Sequence, residues 1–163
     1  LRALLLTPPA GVAWTPLSEA MLFSAARIEH LERTIRPALA AGRWVISDRF
    51  SDSTRAYQTA RDPGLAPAVR TLEALAVGAT RADLTLVLDL PVEDAAARLA
   101  ARGGEADAFE ERAADFHAAV RAAFLAIAAD EPGRCVVLDA RLPPAQLADA
   151  AFAACRERLG VPP

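Results

Sequence analysis

An acid and a base stand side by side after a short apolar run. Asp48 and Arg49 follow residues 44–46, which are Trp-Val-Ile, and Gly42 separates this run from a preceding helical pattern. A run of this kind predicts a β-strand. In open α/β sheets, ligands bind beyond the carboxyl ends of the strands, so the two charged residues are candidates for binding a polar ligand. The same pattern is equally compatible with an ion pair that only closes a strand.

A polar helix is predicted directly after this pair. Three consecutive residues offer side-chain oxygens as N-caps, namely Ser51, Asp52 and Ser53. The first turns of that helix carry three further side chains with hydrogen-bonding groups, namely Thr54, Tyr57 and Gln58. These residues belong either to an ordinary capped helix or to the same binding site as the charged pair.

A longer helix is predicted from the Thr15-Pro16 pair, with Thr15 as N-cap and Pro16 at the first helical position. Six residues at spacings of three or four form one stripe, namely Leu17, Met21, Ser24, Ile28, Leu31 and Ile35. Such a stripe is expected to be buried, against the sheet or against a partner chain. Phe23 and Arg27 lie one turn apart on a second face of this helix. Either Phe23 belongs to the core and Arg27 is solvated, or the two act together in a functional site. Pro37 predicts a kink or break.

The rest of the chain predicts an α/β fold. Residues 84–90 are almost continuously apolar, which is typical of a parallel strand covered on both faces, and residues 134–139 form a last strand. Helices are predicted over residues 67–77, 92–101, 113–129 and 143–158. The pattern therefore predicts a single domain with a parallel sheet that helices cover on both faces.

Two arginines and two glycines suggest a lid. Arg98 and Arg102 lie one turn apart on the helix over residues 92–101 and its extension, and Gly103 and Gly104 follow. Paired cations beside a glycine hinge are what a mobile phosphate-clamping lid requires, here over residues of about 98–112. The alternative is a solvated basic helix end beside a flexible loop.

Composition narrows the function classes. The 163 residues are 53% hydrophobic and 24% charged, which is typical of a globular protein with a real core. The net charge of -3 does not favour binding to duplex nucleic acid. No apolar run is long enough to span a membrane, so a cytoplasmic protein is expected. Cys135 and Cys155 lack metal-ligand spacing. All eighteen basic residues are Arg, so the given sequence has no lysine for a Walker A motif.

These segments together resemble the thymidylate kinase family, with its P-loop NTPase-like fold. Asp48-Arg49-Phe50 matches the family's DR[YFH] motif, and the Ser-Thr pair and Ala-Tyr-Gln that follow it agree as well. Residues 22–30 are similar to the LLF-x-A-x-R-x-x-H segment, residues 36–39 to IRPAL, residues 82–91 to PDLTLLLDLP, and residues 116–125 to FHxRVRxxYL. The resemblance extends from Leu1 to about Gly160.

The resemblance implies a reaction and a set of roles. Family members transfer the γ-phosphoryl group of ATP to dTMP, with Mg²⁺, and supply dTDP for dTTP biosynthesis. By position, Phe23 would stack on thymine and Arg27 would read its edge, while Thr54, Tyr57 and Gln58 would line the base and sugar pocket. Arg49 would hold the dTMP phosphate, and Asp48 would organise Mg²⁺, through water. Arg98 and Arg102 would join Arg49 as catalytic residues that neutralise charge during transfer.

The chain departs from the family in two places. The family begins with a strand, a P-loop, a helix and a second strand, and nothing in the given sequence corresponds to them. The family's first strand lies between the strands that are here residues 44–47 and 84–90, so two strand edges would be left unpaired. In the lid, Ala108 stands where the family has Arg, Glu105 is added, and Arg112 is the nearest substitute.

We therefore expect the sequence to be part of a complete dTMP kinase and to be inactive on its own. The alternative is a homologue without a P-loop that binds a deoxynucleotide, or dimerises, without phosphoryl transfer. A deoxynucleoside kinase is a third possibility, although its substrate has no phosphate for Arg49 to hold. The family also implies a homodimer through the helix face from Leu17 to Ile35, and neither a polynucleotide nor a membrane partner.

Overall fold

The computed structural model describes Leu5, residues 13–103 and residues 113–160. These residues fall into two compact units, one with Leu5 and residues 13–81 and 113–116, the other with residues 82–103 and 117–160. No helix among the described residues is long and apolar enough to cross a membrane.

The first unit is helical. In residues 13–81 its α-helices are α1 (Pro16–His30), α2 (Arg36–Ala40), α3 (Ser51–Arg61) and α4 (Ala66–Val77). A π-helical segment (Leu31–Ile35) joins α1 to α2, and a 3-10 turn (Pro63–Leu65) precedes α4. The glycine that ends α4, Gly78, has a φ of 55°, a conformation that glycine adopts without a Cβ penalty.

The start of α1 is as predicted. The Thr15 hydroxyl accepts a hydrogen bond from the amide of Ser18 at 3.2 Å, and Pro16 takes the first helical position. The predicted break at Pro37 takes the form of the π-helical segment just before it, where the amide of Arg36 donates to the carbonyl of Leu31. Proline has no N–H for the carbonyl four residues earlier, so the regular ladder has to change there.

The predicted stripe is buried at Ser24 of α1 and at its carboxyl end, on the π-helical segment. Leu31 and Ile35 are buried with Ala76 and Val77 of α4, and Val45 and Phe50 pack against this cluster. Towards the amino end, Leu17, Met21 and Ile28 are 39%, 55% and 40% exposed. These three residues are the exposed half of the stripe, and the buried Ser24 interrupts them.

The predicted strand over residues 44–46 is wrong. Residues 43–47 have no regular secondary structure, and the side chains of Trp44 and Ile46 are 66% and 98% exposed. The backbone needs a hydrogen-bonded neighbour to form a ladder, and the two strands in the described residues pair with each other instead. Val45 packs against the core of the first unit.

The predicted N-caps of α3 are also wrong. The N-cap residue is Phe50, whose carbonyl accepts from the amide of Ser53 at 3.2 Å, and no side chain caps the helix. Ser51 and Asp52 lie inside the first turn and are buried. Asp52 pairs with Arg55 one turn later, at 3.3 Å, instead of capping.

The second unit carries the parallel sheet. Strand β1 (Thr85–Asp89) pairs with β2 (Cys135–Asp139) in parallel, with Thr85 opposite Cys135 and Asp89 opposite Asp139. Its helices are α5 (Val92–Arg102) and α7 (Pro144–Leu159), and α6 (Ala114–Asp130) contributes all but its first three residues. The predicted strands over residues 84–90 and 134–139 are confirmed, and so is the parallel arrangement of the sheet.

The sheet is only partly covered in the described part of the chain. Leu88 and Val137 are 55% and 45% exposed, and a mostly apolar groove of about 450 Å³ borders Leu86, Leu88, Arg98 and the first turns of α7. The cover on both faces that the apolar run of β1 predicts is thus incomplete among these residues.

Candidate functional site

Arg27 joins α1 to the start of α3. Its Nη2 donates to the carbonyl oxygen of Phe50 at 3.0 Å and to the hydroxyl of Thr54 at 2.9 Å. The guanidinium carbon lies 5.5 Å from the centre of the Phe50 ring, within the range of a cation–π contact. Arg27 and Thr54 come from separate predicted segments, and the fold brings them into direct contact.

Two carboxylates surround this arginine. Burial lowers the pKa of the Arg27 guanidinium, while the charges of Glu73 and Asp52 act in the opposite direction. Arg55 lies between the same carboxylates, with Nη1 3.3 Å from Asp52 and Nε 3.8 Å from Glu73. One oxygen of Glu73 is buried without a hydrogen-bond partner. The result is a charge cluster of two guanidinium groups and two carboxylates among α1, α3 and α4.

Sequence reasoning missed half of this cluster. Asp52 and Arg55 are three residues apart on one helix, a spacing that indicates an ion pair once the helix start is placed correctly. Glu73 lies on a different helix, and no sequence signal connects it with Arg27. Only the packing of α1, α3 and α4 places this carboxylate beside the arginines.

Phe23 lies one turn before Arg27 on α1 and is half-buried. Phe23 and Arg27 are therefore four residues apart on one helix, as the predicted functional pair requires. A half-buried aromatic ring beside a guanidinium can stack on a planar ligand while the cation accepts its polar edge.

Arg49 has an unusual backbone. Its φ of 66° makes it the one residue other than glycine with a positive φ in the described part of the chain, and the hydroxyl of Ser47 donates to its carbonyl oxygen at 2.9 Å. Such a conformation costs free energy and is concentrated at functional sites. The Arg49 guanidinium carbon lies 4.9 Å from the centre of the Tyr57 ring. Asp48, the neighbouring acid, is exposed.

Tyr57 and Gln58 have different surroundings, although they are adjacent. The Tyr57 ring is half-buried and meets the edge of the Phe116 ring, with centroids 5.9 Å apart. Gln58 is 1% exposed and donates from Nε2 to Glu19 at 3.1 Å, and its Oε1 is buried without a partner. Gln58 thus belongs to the interior of the helices, whereas Tyr57 lies beside Arg49.

The lid arginines lie in the second unit. The Nη2 of Arg98 donates to the carbonyl oxygen of Ala140 at 2.8 Å, which fixes α5 to the loop after β2. Arg102 is the last residue of α5 and is exposed. Residues 104–112, with Glu105, Ala108 and Arg112, lie outside the described residues.

Two ion pairs occupy the carboxyl edge of the sheet. Asp89 accepts two hydrogen bonds from Arg121, at 2.6 and 2.9 Å, and Asp139 accepts from Arg141 at 2.9 to 3.3 Å. The hydrogen bonds from Arg121 lower the pKa of Asp89, and those from Arg141 lower the pKa of Asp139 to about 2. Sequence reasoning did not find these pairs.

The Asp139 carboxyl group provides a test of this geometry by pH. Its pKa is depressed in the folded state, so its contribution to stability is present above the ordinary pKa of about 3.9 and is lost as the pH falls towards 2. Carbon-13 NMR of the aspartate carboxyl groups should show this titration near pH 2. Arg141→Ala should move it up towards 3.9, and an unchanged midpoint in that variant would contradict the pairing.

The described residues offer a magnesium ion few protein ligands. The described residues contain no group of three or more His, Cys, Asp or Glu side chains that could hold a metal. Asp48 is one exposed carboxylate. This suits an ion that keeps most of its water and is shared with the phosphates of a substrate, as Mg²⁺ commonly is.

Comparison with known proteins gives a consistent result. The family model described as "Thymidylate kinase" matches residues 1–151. The thymidylate kinase of Rhodopseudomonas palustris is 46% identical over 144 residues, which cover 87% of this chain and 63% of that protein. That of Dinoroseobacter shibae is 50% identical over 135 residues, or 83% of this chain and 65% of the relative. The chain thus spans slightly less than two thirds of the length of these curated relatives.

A solved structure agrees. A crystal structure of thymidylate kinase from Ehrlichia chaffeensis matches with a TM-score of 0.67 at 27% sequence identity, covering 94% of this chain and 70% of the other. The predicted α/β fold, of the P-loop NTPase-like class, is confirmed by this likeness.

Proposed function

Because the chain belongs to the thymidylate kinase family, we propose that it contains the dTMP-binding site of an ATP-dependent kinase that converts dTMP to dTDP. The observation that supports this best is the position of Arg27. Its guanidinium is partly buried and is fixed by Phe50 and Thr54, one turn from the half-buried ring of Phe23. This arrangement suits a planar base with an oxygen at its edge.

The base is recognised by stacking and by hydrogen-bond donors. Phe23 stacks on the ring of thymine, and Arg27 donates to an exocyclic oxygen. The guanidinium of Arg27 has only hydrogen-bond donors. Cytosine carries an amino group, also a donor, in place of the exocyclic oxygen of thymine, so no hydrogen bond would form there. A site whose buried polar groups are left unpaired rejects such an analogue. Burial strengthens this discrimination, because water cannot replace the missing partner.

The phosphate end is recognised by charge. Arg49 holds the dTMP phosphate by charge-assisted hydrogen bonds, with Tyr57 beside the sugar. Asp48 would hold Mg²⁺ through water, and the ion, when bound with ATP, would offset the negative charge of the phosphates. Arg98 and Arg102 neutralise charge as the phosphoryl group moves. Arg98 uses one of its five guanidinium N–H donors for the carbonyl oxygen of Ala140, and the others can donate to phosphate.

Nucleotide specificity tests this function. Calorimetric titration of the chain with dTMP, dCMP and thymidine should give the tightest binding for dTMP. A lost hydrogen bond to a charged group corresponds to a factor of about 10 to 150 in affinity, which we expect for dCMP from Arg27 and for thymidine from Arg49. Equal affinity for dTMP and dCMP would contradict the base site. Equal affinity for dTMP and thymidine would contradict the phosphate site and favour a nucleoside kinase.

We also propose that the exposed half of the α1 stripe is a homodimer surface. Leu17, Met21 and Ile28 are exposed apolar residues on one face of α1, and a group of exposed apolar side chains favours association. Met21→Glu should shift the chain from dimer to monomer in sedimentation equilibrium. Leu75→Glu on α4, where the leucine is 77% exposed, is the control and should leave the association unchanged. A monomeric unmodified chain would contradict the proposal.

A further inference from the structure

Phe116 lies against the ring that holds Arg49. It is the third residue of α6 and is half-buried. Its ring plane is inclined by 68° to that of Tyr57, with the centroids 5.9 Å apart, which is an edge-to-face contact. The Arg49 guanidinium lies 4.9 Å from the centre of the same Tyr57 ring. Tyr57 is therefore in contact with a cation and with an aromatic ring.

The contacts among Arg49, Tyr57 and Phe116 limit the conformational freedom of the arginine that is to bind the phosphate. Arg49 is exposed, and a free arginine side chain samples many rotamers that a bound phosphate would have to restrict. A cation–π contact limits those rotamers before the ligand arrives. The contact is only as fixed as the Tyr57 ring, and the ring of Phe116 restricts the motion of Tyr57.

We propose that Phe116 is a positioning residue for the acceptor phosphate, which fixes Tyr57 and through it the guanidinium of Arg49. This inference rests on the proposed function, since it assigns the phosphate to Arg49. Phe116 itself touches neither the phosphate nor the base in this account. Its removal should therefore weaken the binding of ligands with a phosphate more than the binding of ligands without one, which meet Tyr57 only at the sugar.

The ratio of dTMP affinity to thymidine affinity measures this role. An edge-to-face pair corresponds to a factor of about 2 to 12 in an equilibrium constant. Phe116→Leu removes the ring and should lower dTMP affinity by about that factor and thymidine affinity by less. Phe116→Tyr keeps the ring and should retain the affinity of the unmodified chain. Phe124→Leu makes the same change two turns further along α6 and should leave the ratio as it is.

Tyr57 offers a second readout, because it is the only tyrosine in the chain. With carbon-13-labelled tyrosine, the unmodified chain should give one set of ring signals. Phe116→Leu should shift that set, since the neighbouring ring current is lost, and Phe124→Leu should not. Phe116→Met is the substitute if the leucine variant does not fold, and the same selective loss of dTMP affinity is expected.

The outcomes separate this inference from the function on which it rests. Suppose that the unmodified chain binds dTMP, and that Phe116→Leu leaves the affinities for dTMP and thymidine unchanged or lowers both by the same factor. The positioning role is then wrong, and the proposed function stands. If the unmodified chain binds neither ligand, the proposed function is wrong and the role of Phe116 falls with it. A selective loss for dTMP, together with the shift of the Tyr57 signals, supports both.

Discussion

Replacing Arg27 with methionine is expected to weaken dTMP binding by about 10- to 150-fold, the factor that corresponds to a lost hydrogen bond from a charged group. Methionine keeps most of the apolar stem and removes the guanidinium. The thymine oxygen would then lose its donor in a partly buried site, where water is a poor substitute. Calorimetric titration of the variant with dTMP measures the change directly.

The effect on binding has to be separated from an effect on folding. Thr54 is buried and would lose the hydrogen bond from Arg27, so some loss of stability is expected as well. Urea unfolding of the same variant gives that loss, and binding is compared under conditions where the variant is folded. The control is Arg33→Met, on the adjoining π-helical segment, where the arginine side chain is 79% exposed and pairs with Glu29. Unchanged dTMP affinity in Arg27→Met would show that the base site lies elsewhere.

Glu19→Ala is expected to reduce the free energy of unfolding by about 2–4 kcal/mol, because it breaks a buried ion pair and a buried hydrogen bond. Glu19 is 5% exposed, and its carboxylate lies 2.6 Å from Arg61 and 3.1 Å from the amide nitrogen of Gln58. Gln58 already has one buried oxygen without a partner, so removal of Glu19 would leave the whole amide unpaired. The Arg61 side chain is partly exposed, which keeps the expected loss below that of a fully buried pair.

Urea denaturation measures this loss, and Glu29→Ala is the matched control. Glu29 also pairs with an arginine at 2.6 Å, but both side chains are more than half exposed. An exposed pair of this kind contributes about 0–1 kcal/mol. A similar small loss for both variants would mean that the Glu19 cluster does not stabilise the packing of α1 against α3.

Local signals account for the parts of the fold that the sequence predicts well. The cap at Thr15, the end of α4 at Gly78 and the two strands with their parallel pairing each depend on a few neighbouring residues or on one apolar run. The segment around Val45 was predicted by the same reasoning and is not a strand. Its apolar character is local, but a strand also needs a partner, and the described residues give it none.

The candidate site divides in the same way, into residues that local motifs identify and contacts that only the folded chain creates. The family motifs identify Arg27, Arg49 and Tyr57 by type and order. In the fold, Arg27 donates a hydrogen bond to Thr54, and the guanidinium of Arg49 lies over the ring of Tyr57. The motifs do not reveal the buried carboxylate of Glu73 beside Arg27. They also do not reveal that Arg98 donates to a carbonyl 42 residues further along the chain. Both contacts arise from packing between distant segments, which spacing in the sequence does not encode.

The central claim is that thymine stacks on Phe23 with its exocyclic oxygen at Arg27, and isotope-filtered NOE spectroscopy of the chain with dTMP tests the stacking most directly. The expected result is a set of NOEs from the thymine methyl group and H6 to the ring protons of Phe23, assigned by their loss in Phe23→Leu. Binding of dTMP with NOEs to other aromatic rings and none to Phe23 would contradict the claim.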